Sequence, residues 1–487
     1  MSNAKKNNSV YLVSFFEGAA VMATELCGSK ILSPFYGSSL FVWASVIAIT
    51  LGSLAAGYFW GGKLSMSGDK TRKLILLLLS ASVLMSFMPL ISNAFPLIAM
   101  KINLLPAVVI SSLLILALPM LMMGSASPLI ISILTSDGKD SGKVSGTVYA
   151  VSTLGGIIST FICGFWLIPG VGINSTLVVF AVLLSVSLFF FIPKKNKLTV
   201  SIVILAVLAL GFTSKPQSKN CIYEQDGMLG KINVIDDTLI NAKPMKVIRK
   251  LLVNNVVQSE MELESHNAVS DYLAVLDSNI SSEKSAKALV LGLGGGLTAN
   301  VFIKKGYEVD GVDLDERIIE AAKKFFFLDE RVKTFADDAR HYLAVVNKKY
   351  DFILMDLFKA EEQPVHTITL ESFTELKRVL NENGCLIINW HGYLKEEKGL
   401  GTCILLNTLK KAGFVYQVCA TSNNEDQRNL VIFASLKANT VKKFEINEFI
   451  GKTDLLNTDN CPLLEKYNSA ANQTWRKNYI RYYYSGF

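Results

Sequence analysis

Long runs with few or no charges fill the first part of this chain and stop near Gly211, after which charged residues crowd in. A helix of about twenty apolar residues spans the hydrocarbon core of a bilayer. Candidate spans fall at 9–27, 38–60, 73–95, 104–126, 145–168, 174–193 and, shortest, 198–213. The pattern predicts an all-α transmembrane bundle of about seven helices over 1–213. With 51% hydrophobic residues and a mean hydropathy of +0.37 over 487 residues, the chain is too apolar for an ordinary soluble protein. Small residues recur inside the runs (Gly52, Ala55, Ala56 and Gly57; Gly155, Gly156 and Gly164), where close approach of helices supplies packing that lipid cannot drive. Glu17 and Glu25 lie about 80° apart down the axis of one helix and share a broad face. Acids in a membrane usually face a bundle interior. They read either as a site for a cationic substrate or as one acid near the interface and one hydrogen-bonded to a neighbouring helix.

From Ser214 the texture changes to strand-like runs at 231–236, 246–253 and around Val256, with Asp, Asn and Gly between them. A small β-rich subdomain is predicted over 214–268. Beyond it helix and strand alternate: helix 269–276, strand 288–291, helix 298–305, strand 309–312, helix 316–326, strand 352–355, helix 370–380, strand 385–389 and helix 402–412. Such alternation predicts an α/β doubly wound, Rossmann-like domain over 269–487 with a parallel sheet.

Chemistry is concentrated where those strands end. Leu289-Val-Leu-Gly292-Leu-Gly294-Gly295-Gly296 runs a buried strand into glycines and then a helix, and glycine lets a ligand approach the main chain closely. About twenty residues on, Val309-Asp310-Gly-Val-Asp313-Leu-Asp315 ends the next strand on a carboxylate suited to both hydroxyls of a ribose. Asp313 is the expected ribose ligand; Asp315 can instead cap the following helix. Phe335-Ala-Asp337-Asp338-Ala339 places Asp338 to accept from an adenine amino group, or places both acids as caps of the helix containing His341. The fourth strand ends on Asp356, the candidate for the chemistry.

These pieces, in this order, resemble the S-adenosylmethionine-dependent methyltransferase folds and, more narrowly, the spermidine synthase (polyamine aminopropyltransferase) family. The narrower likeness rests on Leu252-Val-Asn254-Asn255-Val-Val-Gln258-Ser, on Tyr272 ahead of the glycines, and on Pro364-Val-His366-Thr-Ile-Thr369-Leu-Glu-Ser-Phe373, and covers about 222–435. Phe16-Glu17-Gly18-Ala-Ala with Glu25, and Tyr149-Ala-Val-Ser-Thr-Leu-Gly155, look like the transporter-like helices of membrane-fused members. The resemblance implies a transferase that uses decarboxylated S-adenosylmethionine, or S-adenosylmethionine itself, as co-substrate, with no metal. It implies Gln258, Tyr272, Gly292, Gly294, Gly296, Asp313 and Asp338 around the donor, Asp356 as the group that receives the acceptor's proton, and His366 either lining the acceptor side or lying on the surface.

Two departures narrow the acceptor. Where the family's glycine motif carries an aspartate this chain has Gly295, and the second of two aspartates after the fourth strand is Lys359. A buried charge without a counter-charge costs several kcal/mol, so the expected acceptor is an amine other than plain putrescine. Two other readings stay open: an S-adenosylmethionine-dependent methyltransferase, and a non-catalytic transporter or sensor that binds an adenosyl ligand.

Basic residues collect in alternate loops, at Lys5 and Lys6, at Lys63 to Lys73, at Lys139 and Lys143, and at Lys194 to Lys197, which puts the N-terminus in the cytoplasm. Seven full crossings would put the nucleotide-binding domain outside, away from its cofactor. The expectation is a multi-pass protein of the cell inner (plasma) membrane with that domain cytoplasmic, one marginal segment not crossing or one further crossing lying in 119–134. The polar 1–9 stretch leads into a run without a cleavage site, so the first helix is expected to stay as an anchor. Expected partners are the lipid bilayer and a small-molecule amine, itself membrane-associated or not, with a homodimer left open. Nucleic acid is not expected, because the net charge of +7 sits in short loops with no basic aromatic stripe. Seven scattered cysteines without ligand spacing suggest reduced thiols. The tail around Trp475 to Tyr484 reads as a surface segment near lipid headgroups or as a short docking helix.

Overall fold

The structure, a computed structural model, describes residues 3–37, 40–135, 140–190, 197–213, 220–227, 229–239, 246–283, 285–358, 363–391, 393–437 and 453–484. By its internal contacts the chain divides into two units, Met1–Lys219 with Gln225–Lys231, and Asn220–Glu224 with Ile232–Phe487.

In the first unit five helices are long and apolar enough to cross a membrane: Asn8–Tyr36, Phe41–Ser65, Lys70–Ala99, Leu105–Leu134 and Ser141–Phe190. A shorter apolar helix covers Lys197–Gly211. These stand, among the described residues, where about seven crossings were expected. The 50-residue helix is broken at Gly172, whose φ of 85° is left-handed, between the runs expected at 145–168 and 174–193. The 119–134 stretch continues the helix that starts at Leu105. Pro119 and Pro169 each sit just after a turn widened to π-helical spacing, at Leu113–Ala117 and Cys163–Leu167. A proline lacks the N–H and crowds the carbonyl four residues back, and a widened turn accommodates both.

The first helix crosses the Ser141–Phe190 helix at very short range. A Cβ on Gly18 would lie 2.0 Å from the Ser152 carbonyl oxygen, and one on Gly155 2.1 Å from that of Phe15. At this crossing Ser14 Oγ donates to the Val148 carbonyl at 3.1 Å and Ser152 Oγ to Glu17 Oε2 at 3.0 Å. Glu17 is buried and Glu25 half-buried. Of the small residues singled out in the sequence, Gly57 and Gly155 face neighbouring backbone, whereas Gly52 and Gly164 have open space.

The second unit begins with a four-stranded sheet in the order β1 (Cys221–Gln225), β2 (Ile232–Leu239), β3 (Lys246–Val253), β4 (Val256–Glu262). β3 and β4 form an antiparallel hairpin whose two-residue turn, Asn254-Asn255, has φ of 50° and 61°. Both angles are positive, as a tight hairpin turn requires, and asparagine tolerates them.

Seven strands follow: β5 (Lys287–Leu291), β6 (Glu308–Asp313), β7 (Lys333–Ala336), β8 (Tyr350–Met355), β9 (Leu380–Trp390), β10 (Val415–Ala420) and β11 (Leu430–Ser435). They form one sheet in the order β10-β11-β9-β8-β5-β6-β7. The sheet is mixed, not all parallel as expected: β11 runs antiparallel to β9 and to β10. The cause is local, since β10 and β11 are joined by a short polar turn, 421–429, with no crossover helix that would bring β11 back parallel. β9 also starts earlier than expected, because Leu380 pairs with Tyr350, ending the preceding helix at Val379.

Both faces of this sheet are covered, so its strands read as continuous apolar runs. Ala288 and Val290 of β5 join one core with Leu354, Ile387 and Phe433, while Leu289 and Leu291 join another with Ile353, Met355 and Ile388. The strand order reverses between β5 and β8, and in such sheets ligands bind outside the carboxyl ends of the strands at that point.

Candidate functional site

Four strand ends converge at the reversal. The ladder continues past them: Gly292 N donates to Val312 O at 2.9 Å, Asp356 N to Leu291 O at 2.8 Å, and Asp337 N to Asp313 O at 3.0 Å. Gly292 has a φ of 86°, and a Cβ there would lie 2.1 Å from the Asp356 carbonyl oxygen. No other residue fits. Asp313 fastens the glycine loop: its Oδ2 accepts from the N–H groups of Leu293 (3.0 Å) and Gly294 (3.4 Å), and its Oδ1 from Asp315 N–H (3.0 Å). Burial pushes the Asp313 carboxyl up to about 6 even though those bonds pull it down. An ionised carboxylate offers about four acceptor positions, so capacity remains for a ribose hydroxyl. Gly294 and Gly296 are also at positive φ, and the loop's backbone stands open to close approach.

Asp315 and Asp338 are both helix caps. Asp315 Oδ1 accepts from Arg317 N–H and pairs with the same guanidinium. Asp338 Oδ1 accepts from the N–H groups of Arg340 (2.8 Å) and His341 (3.2 Å), leaving its Oδ2, which faces His366 Nε2 at 3.5 Å. His366 is exposed and lines a cavity of about 600 Å³ with Arg340, His341, Glu375 and Asp459. It does not line the cavity bordered by Asp356.

Asp356, Tyr272 and Gln258 do come together, on a cavity of about 350 Å³. Tyr272 Oη donates to Asp356 Oδ2 at 2.7 Å, and Asn389 Nδ2 donates to Oδ1 at 2.8 Å. Asn389 is itself held by Asn429, whose Nδ2 donates to Asn389 Oδ1 at 2.8 Å. Burial raises the Asp356 carboxyl above its usual range, with both hydrogen bonds opposing the shift. The Tyr272 hydroxyl is held well above its ordinary value by burial and the adjacent carboxylate, so it stays a donor. Glu260 and Asp271 line the same cavity, and its described lining contains no lysine or arginine. Lys359 lies outside the described residues.

Gly295, where the resemblance leads one to expect an acid, is filled in from the neighbouring strand. Its N–H donates to Ser259 Oγ at 2.8 Å, and a Cβ there would lie 2.9 Å from Ser259 Cβ and 3.1 Å from the Phe326 ring. Sequence reasoning missed Ser259 as a contact of the loop, and missed Asn389, His391 and Asn429. Position two residues apart at the end of β9 was the available signal for the first two of that trio. It also missed that Trp475 and Tyr479 line this cavity. They lie on the helix Ser469–Tyr484, the tail segment read as a headgroup contact or docking helix.

Strand order and switch-point glycines define the class: a Rossmann-like domain of the S-adenosylmethionine-dependent methyltransferase type. Within it, residues 271–445 match the family described as spermine/spermidine synthase domain. The chain is 31% identical over 218 residues to polyamine aminopropyltransferase 2 of Aquifex aeolicus, covering 41% of this chain and 43% of that one. It is 28% identical over 166 residues to the N-terminal histidine N-methyltransferase of Emericella nidulans, covering 32% and 29%. This chain therefore spans less than half the length of either relative. Among solved structures, a probable spermidine synthase from Corynebacterium glutamicum aligns with a TM-score of 0.37 at 18% identity, over 56% of this chain and 95% of that one.

Proposed function

We propose that this chain is a membrane-bound, spermidine synthase-like transferase that moves an aminopropyl or related group from an S-adenosyl donor to an amine. The observation that carries the reading is the Tyr272–Asp356–Asn389 constellation, set beside the glycine loop on a cavity whose described lining has three carboxylates and no basic side chain. Such a lining favours a cationic acceptor.

Bound on the glycine loop, the donor supplies a carbon already activated by a sulfonium leaving group. The chain's task is then to hold an amine in line with it, which is where most of the acceleration arises. Asp313, fixed by three backbone N–H groups, receives ribose; Asp338, through its Oδ2, receives the adenine amino group. Asp356 is oriented by two neutral donors and retains lone pairs, so it accepts an N–H of the acceptor and takes its proton. Burial raises its pKa above the ordinary carboxylate range, which makes it a stronger base than an exposed aspartate.

The five apolar helices support residence in a bilayer, the loop charges support a cytoplasmic N-terminus, and the cytoplasmic supply of adenosyl donors supports a cytoplasmic second unit. The choice between the decarboxylated and the intact donor falls to experiment. Purified full-length protein is titrated calorimetrically with decarboxylated S-adenosylmethionine, S-adenosylmethionine and methylthioadenosine, and again as Asp313→Ala. Preference for the decarboxylated donor, lost in Asp313→Ala, supports aminopropyl transfer; preference for the intact donor supports methyl transfer, the reading favoured by the histidine methyltransferase relative. No adenosyl binding at all would overturn both enzyme readings.

A further inference from the structure

The helix Ser469–Tyr484 lies beyond the matched 271–445 segment, yet two of its residues, one turn apart, enter the cavity that Asp356 borders. Trp475 and Tyr479 stack on each other with ring centroids 5.0 Å apart and planes 17° apart. Trp475 in turn meets the His391 ring at 4.9 Å, and His391 meets Phe358 at 4.5 Å. Four aromatic rings thus form a continuous wall. Tyr479 is tied down at the end of its ring: its hydroxyl accepts from Val257 N–H and donates to Asn255 O, each at 3.0 Å. Those two residues belong to the hairpin that leads into Gln258, so the helix is fastened to the strand that carries a proposed donor contact.

The wall carries no charge. Burial holds the His391 imidazole down at about 4, so it is neutral at physiological pH. Its Nδ1 is buried and has no hydrogen-bond partner among the described residues. The three carboxylates of the lining come from other elements. Asp356 ends β8, Glu260 of β4 already faces Lys250 Nζ at 3.5 Å, and Asp271 is exposed in the first turn of the helix Asp271–Asn279. A second ammonium pressed against the rings gains a cation–π attraction, but without a carboxylate it loses more in hydration. A flat apolar group gains on burial there without that loss.

We propose that Trp475 and Tyr479 are specificity-determining residues of the acceptor site, and that the wall they form selects an amine with one cationic end and a flat apolar body over an α,ω-diamine. This rests on the transferase reading of the same cavity. Under it, the cationic end meets Asp356 and the apolar body lies along Trp475.

The test titrates the full-length protein with 2-phenylethylamine and with 1,4-diaminobutane by calorimetry, each with and without saturating methylthioadenosine. Wild type, Trp475→Ala and Trp475→Phe are compared. The expected result is 2-phenylethylamine binding about tenfold more tightly than the diamine, a loss of about tenfold in Trp475→Ala, and recovery of most of it in Trp475→Phe. Methylthioadenosine affinity stays at the wild-type value in both variants, which a merely structural role for Trp475 would not allow. Tighter binding of 1,4-diaminobutane, unchanged 2-phenylethylamine affinity in Trp475→Ala, or binding of neither amine overturns the proposal. Failure of methylthioadenosine to bind the wild type strikes the transferase reading instead, and the arms without it still decide whether the wall selects.

Discussion

Asp356 has one carboxylate oxygen on Tyr272 and the other on Asn389, and burial raises its pKa. Replacement by asparagine keeps the shape and removes the proposed proton acceptor. Asp356→Asn is expected to lower turnover by about 10²- to 10⁴-fold while leaving methylthioadenosine affinity near wild type, read by product formation and calorimetry side by side. Asp313 gives a pH dependence of defined sign. Its folded-state value of about 6 lies above the ordinary 3.8, so the folded chain holds the proton more tightly than the unfolded one. The stability this contributes is full below 3.8 and is lost as pH rises through about 6. Ligand binding runs the other way, because the ionised carboxylate is the better acceptor for ribose hydroxyls. Methylthioadenosine affinity is expected to rise between pH 5 and 7, about tenfold per unit below the midpoint, and a flat profile would show that Asp313 does not receive the nucleoside. Asp313 and Asp356 were legible in the sequence because each ends a buried strand. The partners of Asp356 were not, since Tyr272 and Asn389 lie 84 and 33 residues away along the chain.

At the scale of elements, the β5 turn and the tail helix carry the site. The turn tolerates glycine alone at 292, where φ is positive and the Asp356 backbone is in contact. Gly292→Ala is expected to cost at least about 2 kcal/mol and to lower the thermal midpoint as well as nucleoside binding. The tail helix is held by the Tyr479 hydroxyl, so Tyr479→Phe removes two hydrogen bonds and is expected to loosen the helix by about 1–2 kcal/mol. Hydrogen exchange resolved by peptide would show faster exchange over 469–484, with β5 and β8 unchanged. The sequence predicted the βα alternation from strand-length apolar runs. It misread the end of the sheet, because an antiparallel hairpin at 415–435 and a further parallel unit have the same apolar run lengths and differ only in what joins them.

For the whole molecule, the five apolar helices predict that the full-length chain sediments with membranes and is released by detergent but not by high salt or alkali. Reporters fused after residue 213 and at the C-terminus are expected to read out on the cytoplasmic side; activity of a periplasmic reporter there would reverse the orientation. The sequence by itself determined the division into an apolar helical part and a charged α/β part, and the order of strand-end acids, because apolar length, strand period and glycine at a turn act within a few residues. Only the tertiary structure decided which side chains meet at Asp356, that Ser259 fills the space beside Gly295, and that the tail helix lines the cavity with Trp475 and Tyr479. Those are contacts between segments tens to hundreds of residues apart, set by how the elements pack, and no local pattern encodes them.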